Sequence, residues 1–445
     1  MDSKAKFRRR FGGNPMSQKL LTLWRYLRTP KKFKSRYQIE RWQKKRIVKH
    51  VKYIRNNSKF YAEHWRGIKD EDWQQFPLLD KAIMMENLAD LLTRDIDLSE
   101  AFDVAKNAEV TRDFSPRIGD LSIGFSSGTS GSRGVHIVSD KEAGNWAGFM
   151  LARGLGGNII GKHHVALFLR ANSNNYGTIG SKRIKFSFFD LLKPMEQLQK
   201  EVEMANPTEL IAPPSVLRYL ADNNCKINPK RIISAAEVLD PIDEKIISEY
   251  FSQIVHQFYT STEGEIAATC ELGTLHLNES IMHIGKQWVD EENGLFQPIL
   301  TDFMRTTQPI IRYLQNDILV LQKEGCKCGD ARTAISQVMG RSDDVFYLQK
   351  NNSDEFEPIV PDFIRRAVMR LNPEIEAYHA IQKSRNKIEI GIQPFNLSPL
   401  DYSGFEELFK EKNVRKAELI ITEHSHVPST NKLRRIYREW DHRNN

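Results

Sequence analysis

The middle of the chain, from Val165 to Tyr259, alternates short apolar runs with longer amphipathic stretches. The runs have the length of buried strands, and the stretches have the period of amphipathic helices. Because parallel strands are joined by crossovers that usually contain a helix, this alternation predicts a mostly parallel sheet with helices on its faces. The predicted strands are Val165 to Leu169, Leu210 to Ala212, Arg231 to Ser234 and Ile254 to Tyr259, and the predicted helices are Met195 to Met204, Ser215 to Asp222 and Pro241 to Ser252.

The segments on either side predict the rest of the architecture. Apolar residues at helical spacing predict an N-terminal helix from Gln38 to Asn56. From Ile284 to Gln322 the strand-like runs lie close together, which predicts an antiparallel or barrel-like subdomain. The polar stretch 340–344 precedes about a hundred residues of mixed pattern, the size of a small lobe. We therefore predict an α/β fold with a large N-terminal domain of mixed sheets, residues 1–341, and a small α+β C-terminal lobe, residues 342–445.

Composition and charge narrow the class of protein. Hydrophobic residues make up 40% of the 445 positions and charged residues 27%, and no apolar run is long enough to cross a bilayer. The basic N-terminal stretch lacks the apolar core and cleavage site of a secretory signal, so we expect a cytoplasmic protein. The net charge of +8 suits a nucleotide, coenzyme A, an acidic carrier protein or nucleic acid. Much of this charge lies near the N-terminus, where a solvated helix face is a simpler interpretation than a nucleic-acid or membrane patch.

A loop rich in glycine and hydroxyl residues follows the strand-like stretch Leu121 to Gly124. Glycines let consecutive backbone N–H groups converge, hydroxyls add donors and Arg133 adds a cation, which together suit a phosphate chain. No Gly-Lys-Ser/Thr sequence closes the loop, so it is not a Walker A loop. On composition alone, a flexible surface loop is an equally good interpretation. The candidate phosphate-binding residues are Ser126, Ser127, Gly128, Thr129, Ser130, Gly131, Arg133 and Gly134.

Further stretches follow this loop in an order that resembles the adenylate-forming superfamily of acyl-CoA synthetases, peptide-synthetase adenylation domains and luciferases. The resemblance covers most of the chain. The matching stretches are Ser234-Ala235-Ala236-Glu237, Tyr259-Thr260-Ser261-Thr262-Glu263, Arg312-Tyr313-Leu314-Gln315-Asn316-Asp317, Gly340-Arg341-Ser342-Asp343-Asp344 and Pro428-Ser429-Thr430-Asn431-Lys432. The enzyme interpretation rests on their joint order and spacing, because each residue taken singly fits an ordinary surface position.

The resemblance implies a role for each of these motifs. Ala236 and Glu237 lie beside the adenine and Tyr259 stacks on it, while Thr262 belongs to the motif that contacts the α-phosphate. Glu263 helps to hold Mg²⁺, Asp317 binds the ribose hydroxyls, Arg341 belongs to the hinge between the domains, and Lys432 is the catalytic lysine.

Physical chemistry supports the same roles. A carboxylate that attacks the α-phosphate of ATP brings two anionic groups together, so the reaction needs a cation at the phosphorus and a metal at the departing pyrophosphate. Lys432 suits the first position and Glu263 the second. Asp317 can accept hydrogen bonds from both ribose hydroxyls, and Tyr259 offers a flat face to the adenine.

Within the superfamily the chain is most similar to phenylacetate–CoA ligases and to the capsule-cluster and deazaflavin-cofactor adenylyl synthetase relatives. The likeness rests on the stretches 57–61 and 76–81 and on Cys326-Lys327-Cys328-Gly329. Some members of that branch hold a structural zinc near this place, so Cys270, His276, Cys326 and Cys328 are candidate Zn²⁺ ligands. Unligated thiols are the alternative, and Cys225 has no evident partner.

The expected reaction is ATP-dependent activation of an organic acid, with aryl acids favoured by the resemblance, to an acyl-AMP with release of pyrophosphate. Coenzyme A is the first choice of acceptor. Three departures from the superfamily pattern keep alternatives open: Arg133 replaces Lys, Asn431 replaces Gly, and the stretch 348–353 has no glycine. The alternatives are a ligase that uses an amine, a sugar hydroxyl or a carrier protein, and a nucleotide-binding pseudoenzyme. Phe168 and Arg170 are among the candidates to line the acid pocket, and we expect Arg170 to pair with a neighbouring Asp.

Overall fold

A computed structural model describes residues 15–30, 32–125, 134–156, 161–170, 183–428 and 432–441. None of the helices in these ranges has the length and apolar character that a membrane span requires.

The N-terminal part consists mainly of helices and ends in a β-hairpin and a long helix. Helix α2 begins two residues before the predicted start because the Ser35 side chain accepts a hydrogen bond from the Gln38 N–H and caps the helix. Gly148 permits close packing of α1 on α7, since a Cβ there would lie 2.3 Å from the Thr22 carbonyl oxygen. The elements are α1 (Pro15–Arg28), α2 (Arg36–Asn57), α3 (Lys59–His64), a 3-10 turn (Asp70–Gln75), α4 (Lys81–Glu86), α5 (Leu88–Leu91), α6 (Leu98–Thr111), β1 (Leu121–Phe125), β2 (Val135–Ser139) and α7 (Asp140–Gly154).

A large sheet forms the centre of the molecule, and its first half is parallel as predicted. The parallel strands are β3 (His163–Leu169), β4 (Ile184–Asp190), β5 (Glu209–Ala212), β6 (Arg231–Ala235) and β7 (Val255–Ser261), in the order β4-β3-β5-β6-β7. The connecting helices are α8 (Met195–Ala205), α9 (Pro214–Asp222) and α10 (Pro241–Phe251). Asp240 caps α10, since its carboxylate accepts the Ile242 N–H at 3.0 Å. The predicted strands and helices of this region are confirmed, with small shifts at their ends.

The second half of the sheet is antiparallel. Its strands are β8 (Gly264–Thr269), β9 (Leu275–Leu277), β10 (Met282–Asp290), β11 (Leu295–Asp302), β12 (Ile310–Leu314), β13 (Asp317–Leu321) and β14 (Ala334–Arg341). The order β10-β11-β13-β14-β9-β8-β7 joins them to the parallel half in one twelve-stranded sheet, with β12 paired to β11. The strands that we expect after Ile284 are therefore present and antiparallel. Strands β14, β9 and β8 connect them, by hydrogen bonds, to the parallel half of the sheet.

The residues after Arg341 form a small lobe with a core of its own, which includes Phe346, Ile364, Ile390 and Phe405. The elements of this lobe are β15 (Phe346–Gln349), β16 (Phe356–Ile359), α11 (Pro361–Leu371), β17 (Ala377–Ser384), β18 (Lys387–Gln393), α12 (Ser403–Glu411), β19 (Glu418–Glu423) and β20 (Ile436–Arg438). Four of these strands form a sheet in the order β19-β18-β17-β20, which carries the two helices. Strand β20 directly follows Lys432, so the fold of this lobe determines where that lysine lies.

Candidate active site

The motif residues meet where the parallel strands end. Ala236 and Glu237 follow β6, and Tyr259 lies on the neighbouring strand β7. Ligands of open α/β sheets bind beyond the carboxyl ends of parallel strands, which is this edge. Ala236 adopts a left-handed backbone conformation with φ of 69°, so the chain turns sharply as it leaves β6.

A hydrogen bond joins Tyr259 to Asp317. The Tyr259 hydroxyl donates to Asp317 Oδ2 at 2.5 Å, and the Gln315 amide donates to the same oxygen at 3.0 Å. Burial raises the pKa of Tyr259 well above its usual range, so the hydroxyl keeps its proton. Two donors thus fix the Asp317 carboxylate through Oδ2, and its other oxygen can accept from a ligand.

Thr262 and Glu263 form the tip of the β7–β8 hairpin, because Ser261 pairs with Gly264 across the turn. The Tyr313 hydroxyl donates to Glu263 Oε1 at 3.1 Å, and burial raises the pKa of Tyr313, which keeps it a donor. The Thr262 carbonyl accepts from Arg305 Nη1 at 3.0 Å. The hairpin tip is therefore held from two sides, while the Thr262 hydroxyl and the second Glu263 oxygen take no part in these bonds.

Glu237 connects the large domain to the C-terminal lobe. Its buried side chain forms an ion pair with Arg170, and its Oε1 accepts the Leu433 N–H at 3.2 Å. Arg170 therefore pairs with a Glu and not with the neighbouring Asp that we expected. The nearby Asp190 is instead bound by Arg112, whose Nη2 lies 2.8 Å from both carboxylate oxygens.

Lys432 lies among four of the candidate residues. Burial lowers the pKa of its ammonium group, and repulsion from Arg170 and Arg341 lowers it further. Glu237 and Asp317 attract the charge and act in the opposite direction. The lysine of the C-terminal lobe is thus brought to the edge of the sheet where the nucleotide motifs converge.

Ion pairs and hydrogen bonds between the two lobes hold the segment that contains Lys432. Arg435 Nη2 donates to both oxygens of Asp243 on α10, at 2.9 and 2.7 Å. The Tyr378 hydroxyl donates to Asp240 Oδ2 at 2.7 Å, and within the small lobe Arg434 forms an ion pair with Asp344. The Asp243 side chain is 1% exposed, so water does not compete for it.

Several predicted residues lie outside the described ranges. These are Ser126, Ser127, Gly128, Thr129, Ser130, Gly131 and Arg133 of the phosphate loop. Of that loop only Gly134 is described, and it is buried. The flanking strands β1 and β2 pair Phe125 with Val135, so the loop spans a hairpin. Phe168 is a core residue: it is fully buried and stacks on Phe189 at 4.6 Å between ring centroids.

The sequence did not predict three groups of this site. Tyr313 and Gln315 lie inside a quoted motif, but only their side-chain contacts show that they orient Glu263 and Asp317. Lys81 lies close enough to Glu263 and Arg341 for both to act on its pKa, which burial lowers. The sequence could have pointed to Lys81 through the stretch 76–81, which contains it and contributes to the resemblance to phenylacetate–CoA ligases.

A second site lies between the β8–β9 turn and the β13–β14 loop. The ligand atoms of Cys270, His276, Cys326 and Cys328 all lie within 4.8 Å of one another. The sulfurs of Cys270 and Cys326 are 3.8 Å apart, and Cys328 Sγ is 3.4 Å from His276 Nε2. A tetrahedral zinc ion with Zn–S bonds of about 2.3 Å separates two sulfurs by about 3.8 Å and a sulfur from a nitrogen by about 3.6 Å. The residue set and the spacing thus fit zinc.

The surroundings of this cluster also suit a metal. His276 Nδ1 contacts the Arg332 carbonyl at 3.1 Å, which leaves Nε2 for the cluster. Backbone N–H groups of Leu272, Cys328 and Asp330 donate to the three sulfurs at 3.4 to 3.5 Å. The loop is tied to the N-terminal region, because the Ala331 N–H donates to the Phe33 carbonyl at 2.8 Å.

No protein-family profile and no curated protein matches the chain in sequence. Solved structures do match. 2-Hydroxyisobutyryl-CoA ligase in the postadenylation state with R3-HIB-AMP has a TM-score of 0.68 at 16% identity, over 93% of this chain and 92% of that one. The same ligase with 2-HIB-AMP and CoA in the thioesterification state has a TM-score of 0.54 at 16% identity, over 92% of each chain. ATP-bound MatB from Rhodopseudomonas palustris has a TM-score of 0.51 at 12% identity, over 69% of this chain and 65% of that one. The chain therefore has the fold of the adenylate-forming acyl-CoA ligases, with a large α/β domain and a small C-terminal lobe.

Proposed function

We propose that this protein activates an organic carboxylic acid with ATP, releases pyrophosphate and transfers the acyl group from the acyl-AMP to coenzyme A. The observation that carries the proposal is the position of Lys432: a separate lobe brings it to the residues expected to bind the nucleotide, where the N–H of the next residue, Leu433, donates to Glu237 Oε1 at 3.2 Å. The fold, shared with ligases solved with acyl-AMP, ATP and CoA, supports it.

In the first half-reaction a carboxylate oxygen of the acid attacks the α-phosphorus of ATP. The bond from that phosphorus to the bridging oxygen of the β-phosphate breaks, and pyrophosphate leaves with the electron pair. Lys432 offsets the negative charge that develops at the phosphorus, and Thr262 lies at the hairpin tip where its hydroxyl can donate to the α-phosphate. The Asp317 oxygen that Tyr259 and Gln315 leave free accepts from the ribose.

Glu263 is the proposed ligand for Mg²⁺. Magnesium in nucleotide sites is commonly held by one or two carboxylates together with the phosphates, and the Glu263 carboxylate, oriented by Tyr313, fits that pattern. When bound, the metal neutralises charge on the departing pyrophosphate. Ala236, Glu237 and Arg341 complete the proposed nucleotide site, together with the phosphate loop Ser126 to Gly134.

The position of the small lobe corresponds to the adenylating arrangement. The chain is more similar to the postadenylation state of 2-hydroxyisobutyryl-CoA ligase than to its thioesterification state, with TM-scores of 0.68 and 0.54. We take residues 1–341 as the adenylation domain and 342–445 as a mobile lobe. Rotation of the lobe at the hinge then withdraws Lys432 and admits the acceptor, whose thiol sulfur attacks the acyl carbon and displaces AMP.

The same proposal places a structural zinc ion between Cys270, His276, Cys326 and Cys328. Four protein ligands close the coordination sphere, which is typical of structural zinc and leaves no position for a substrate. The ion would join the β8–β9 turn to the β13–β14 loop. With the Cys-x-Cys-Gly element, this cluster supports placing the chain near the phenylacetate–CoA ligases. We further propose that the protein acts in the cytoplasm on an aryl acid.

The deciding experiment measures pyrophosphate release from ATP and Mg²⁺ across a panel of aryl, fatty and amino acids, without and then with coenzyme A. Release that depends on the acid establishes adenylation, and the acyl-CoA thioester is then identified by mass spectrometry. Adenylation without a thioester would replace coenzyme A by an amine, hydroxyl or carrier-protein acceptor. Binding of ATP with no release for any acid would support a pseudoenzyme.

A further inference from the structure

Helix α1 has two faces of different character. One face packs on α7: Thr22 and Tyr26 are buried, and the Arg25 guanidinium donates to the Asn145 side chain at 3.0 Å. The other face exposes large apolar side chains, with exposed fractions of 64% for Leu20, 43% for Leu23, 48% for Trp24 and 69% for Leu27. These positions are spaced i, i+3, i+4 and i+7, so they form one continuous stripe along the helix. We call them the apolar stripe.

The apolar stripe is not needed to hold the helix in place, because the opposite face already does so. Exposure of one large apolar residue is common, but four on a single helical face are a feature of interaction surfaces. Trp24 is flanked by cations, with the guanidinium carbons of Arg25 and Arg28 at 5.2 and 5.7 Å from its ring centroid. Apolar side chains that include tryptophan, bordered by arginine, are typical of helices that lie in a membrane interface.

The charge around the stripe identifies the partner. Residues 1–60 contain 20 Lys and Arg and only two acidic residues, Asp2 and Glu40, although the whole chain carries a net charge of +8. The rest of the chain is therefore acidic overall, and the positive charge is concentrated in the N-terminal part of the sequence.

Part of this charge lies in a basic stripe on α2, the helix that follows α1 in the chain. Helix α2 exposes Arg41, Lys45, Lys49 and Lys52, which share the face opposite its buried residues. Only seven residues, 29–35, separate α1 from α2 along the chain. An anionic surface would attract both helices at once.

Other occupants fit these observations less well. A second copy of the chain would bring an equally basic surface against this one, and the charges would repel. A nucleic acid would supply negative charge to the basic side chains, but it has no apolar layer in which the three leucines of the stripe could be buried. A bilayer with anionic headgroups supplies both the negative charge and the apolar layer.

We propose that α1 docks this protein onto anionic membrane surfaces, with the apolar stripe inserted at the headgroup boundary and the basic face of α2 against the headgroups. The docking holds the protein at the membrane without a span. It is independent of ATP and of the acid, so it can be tested whether or not the proposed function is correct.

The test is co-sedimentation of the full chain with vesicles of phosphatidylcholine alone and of equal parts phosphatidylcholine and phosphatidylglycerol. We expect binding to the anionic vesicles only, and a loss of binding as salt is raised. In the double variant Leu20→Ser/Leu27→Ser the partition coefficient should fall by about tenfold or more, because two apolar side chains no longer enter the interface. A second variant, Lys45→Gln/Lys49→Gln, should weaken binding to a smaller extent.

The matched control is Val110→Ser/Met204→Ser, which removes two side chains that are 77% and 80% exposed elsewhere on the surface. It should bind vesicles like the wild type. Thermal unfolding of every variant confirms that the fold is kept. Absence of wild-type binding to anionic vesicles overturns the proposal, as does equal binding by the Leu20→Ser/Leu27→Ser variant. A dimer in solution that this variant dissociates, without vesicle binding, would also overturn it and assign the stripe to a second copy.

Discussion

Arg435 and Asp243 form a buried ion pair that joins the C-terminal lobe to helix α10, only three residues after Lys432. The pair can form only while the lobe occupies its present position. Arg218 also contacts Asp243, at 3.3 Å, so the carboxylate keeps one cation when Arg435 is removed. The pair is therefore well suited to stabilise the adenylating arrangement and not the fold as a whole.

Arg435→Gln should slow acyl-AMP formation and spare the transfer step. The loss of a buried partner should cost about 2 kcal/mol, which corresponds to roughly thirtyfold in the rate of adenylation. The half-reactions are measured separately, with pyrophosphate exchange for the first and a preformed acyl-AMP for the second. Arg415→Gln, an exposed arginine on the same lobe, is the control and should change neither. An equal loss in both half-reactions would assign Arg435 to general stability.

Lys432→Ala should abolish acyl-AMP formation and leave transfer from a preformed acyl-AMP largely intact, because the proposed function assigns the lysine to the adenylating arrangement only. The matched control is Lys410→Ala, an exposed lysine on α12. If the transfer step fell as far as the first step, the assignment of Lys432 would be wrong.

The rate of adenylation should also fall at alkaline pH. In the proposed mechanism Lys432 acts as a cation. Burial, and then repulsion from Arg170 and Arg341, lowers its pKa, so it loses its proton at a lower pH than a free lysine. Activity should therefore decline as pH rises through a value below the ordinary lysine pKa of about 10.4. The pH profile of pyrophosphate exchange measures this limb. A profile flat up to that ordinary pKa, with the protein still folded, would contradict a cationic role.

Glu263→Gln should weaken the dependence of adenylation on Mg²⁺, since an amide is a poorer ligand for a hard cation than a carboxylate. The concentration of Mg²⁺ needed for half-maximal rate should rise. Tyr313→Phe retains the carboxylate and removes only the hydrogen bond that orients it, so its effect should be smaller. An unchanged metal titration in Glu263→Gln would remove this residue from the site.

The purified chain should contain one bound zinc ion, and Cys328→Ser should lose it, because three ligands bind zinc less tightly than four. Metal analysis of the protein measures the content, and thermal unfolding should show a lower transition temperature in the variant. Cys225→Ser is the control, since this cysteine lies in the core beneath α10, away from the cluster. Wild-type protein without zinc after expression in zinc-supplemented medium would contradict the site.

Much of the sheet and many of its helices could be predicted, because a buried strand or helix face leaves a local pattern of apolar residues in the sequence. The segment 165–169 is an apolar run, and Asp240 followed by Pro241 is a typical start of a helix such as α10. Strand β4 was missed because Lys185, Ser187 and Asp190 interrupt its apolar residues. Within the strand-like region from Ile284 to Gln322, the polar pair Gln315-Asn316 separates β12 from β13, a division that we did not predict.

The site was less accessible to prediction than the fold. Motif order located Tyr259, Glu263, Asp317 and Lys432, and the structure brings them to one edge of the sheet, although their roles remain predictions. The contacts that orient them could not be foreseen. The pairing of Arg435 with Asp243 spans 192 residues, and nothing in the local sequence of either residue indicates the other.

Two hydrogen bonds join Phe33 to the β13–β14 loop, so the linker between α1 and α2 cannot finish folding before that loop has been synthesised. The Phe33 N–H donates to Asp330 and the Phe33 carbonyl accepts from Ala331, so the linker between α1 and α2 cannot form these bonds until most of the chain has left the ribosome. Folding of this region is completed late, after translation has passed the last two cysteines. Until then α1 can already pack on α7 through contacts such as Arg25 with Asn145, but the linker that follows it lacks the partners that fix it.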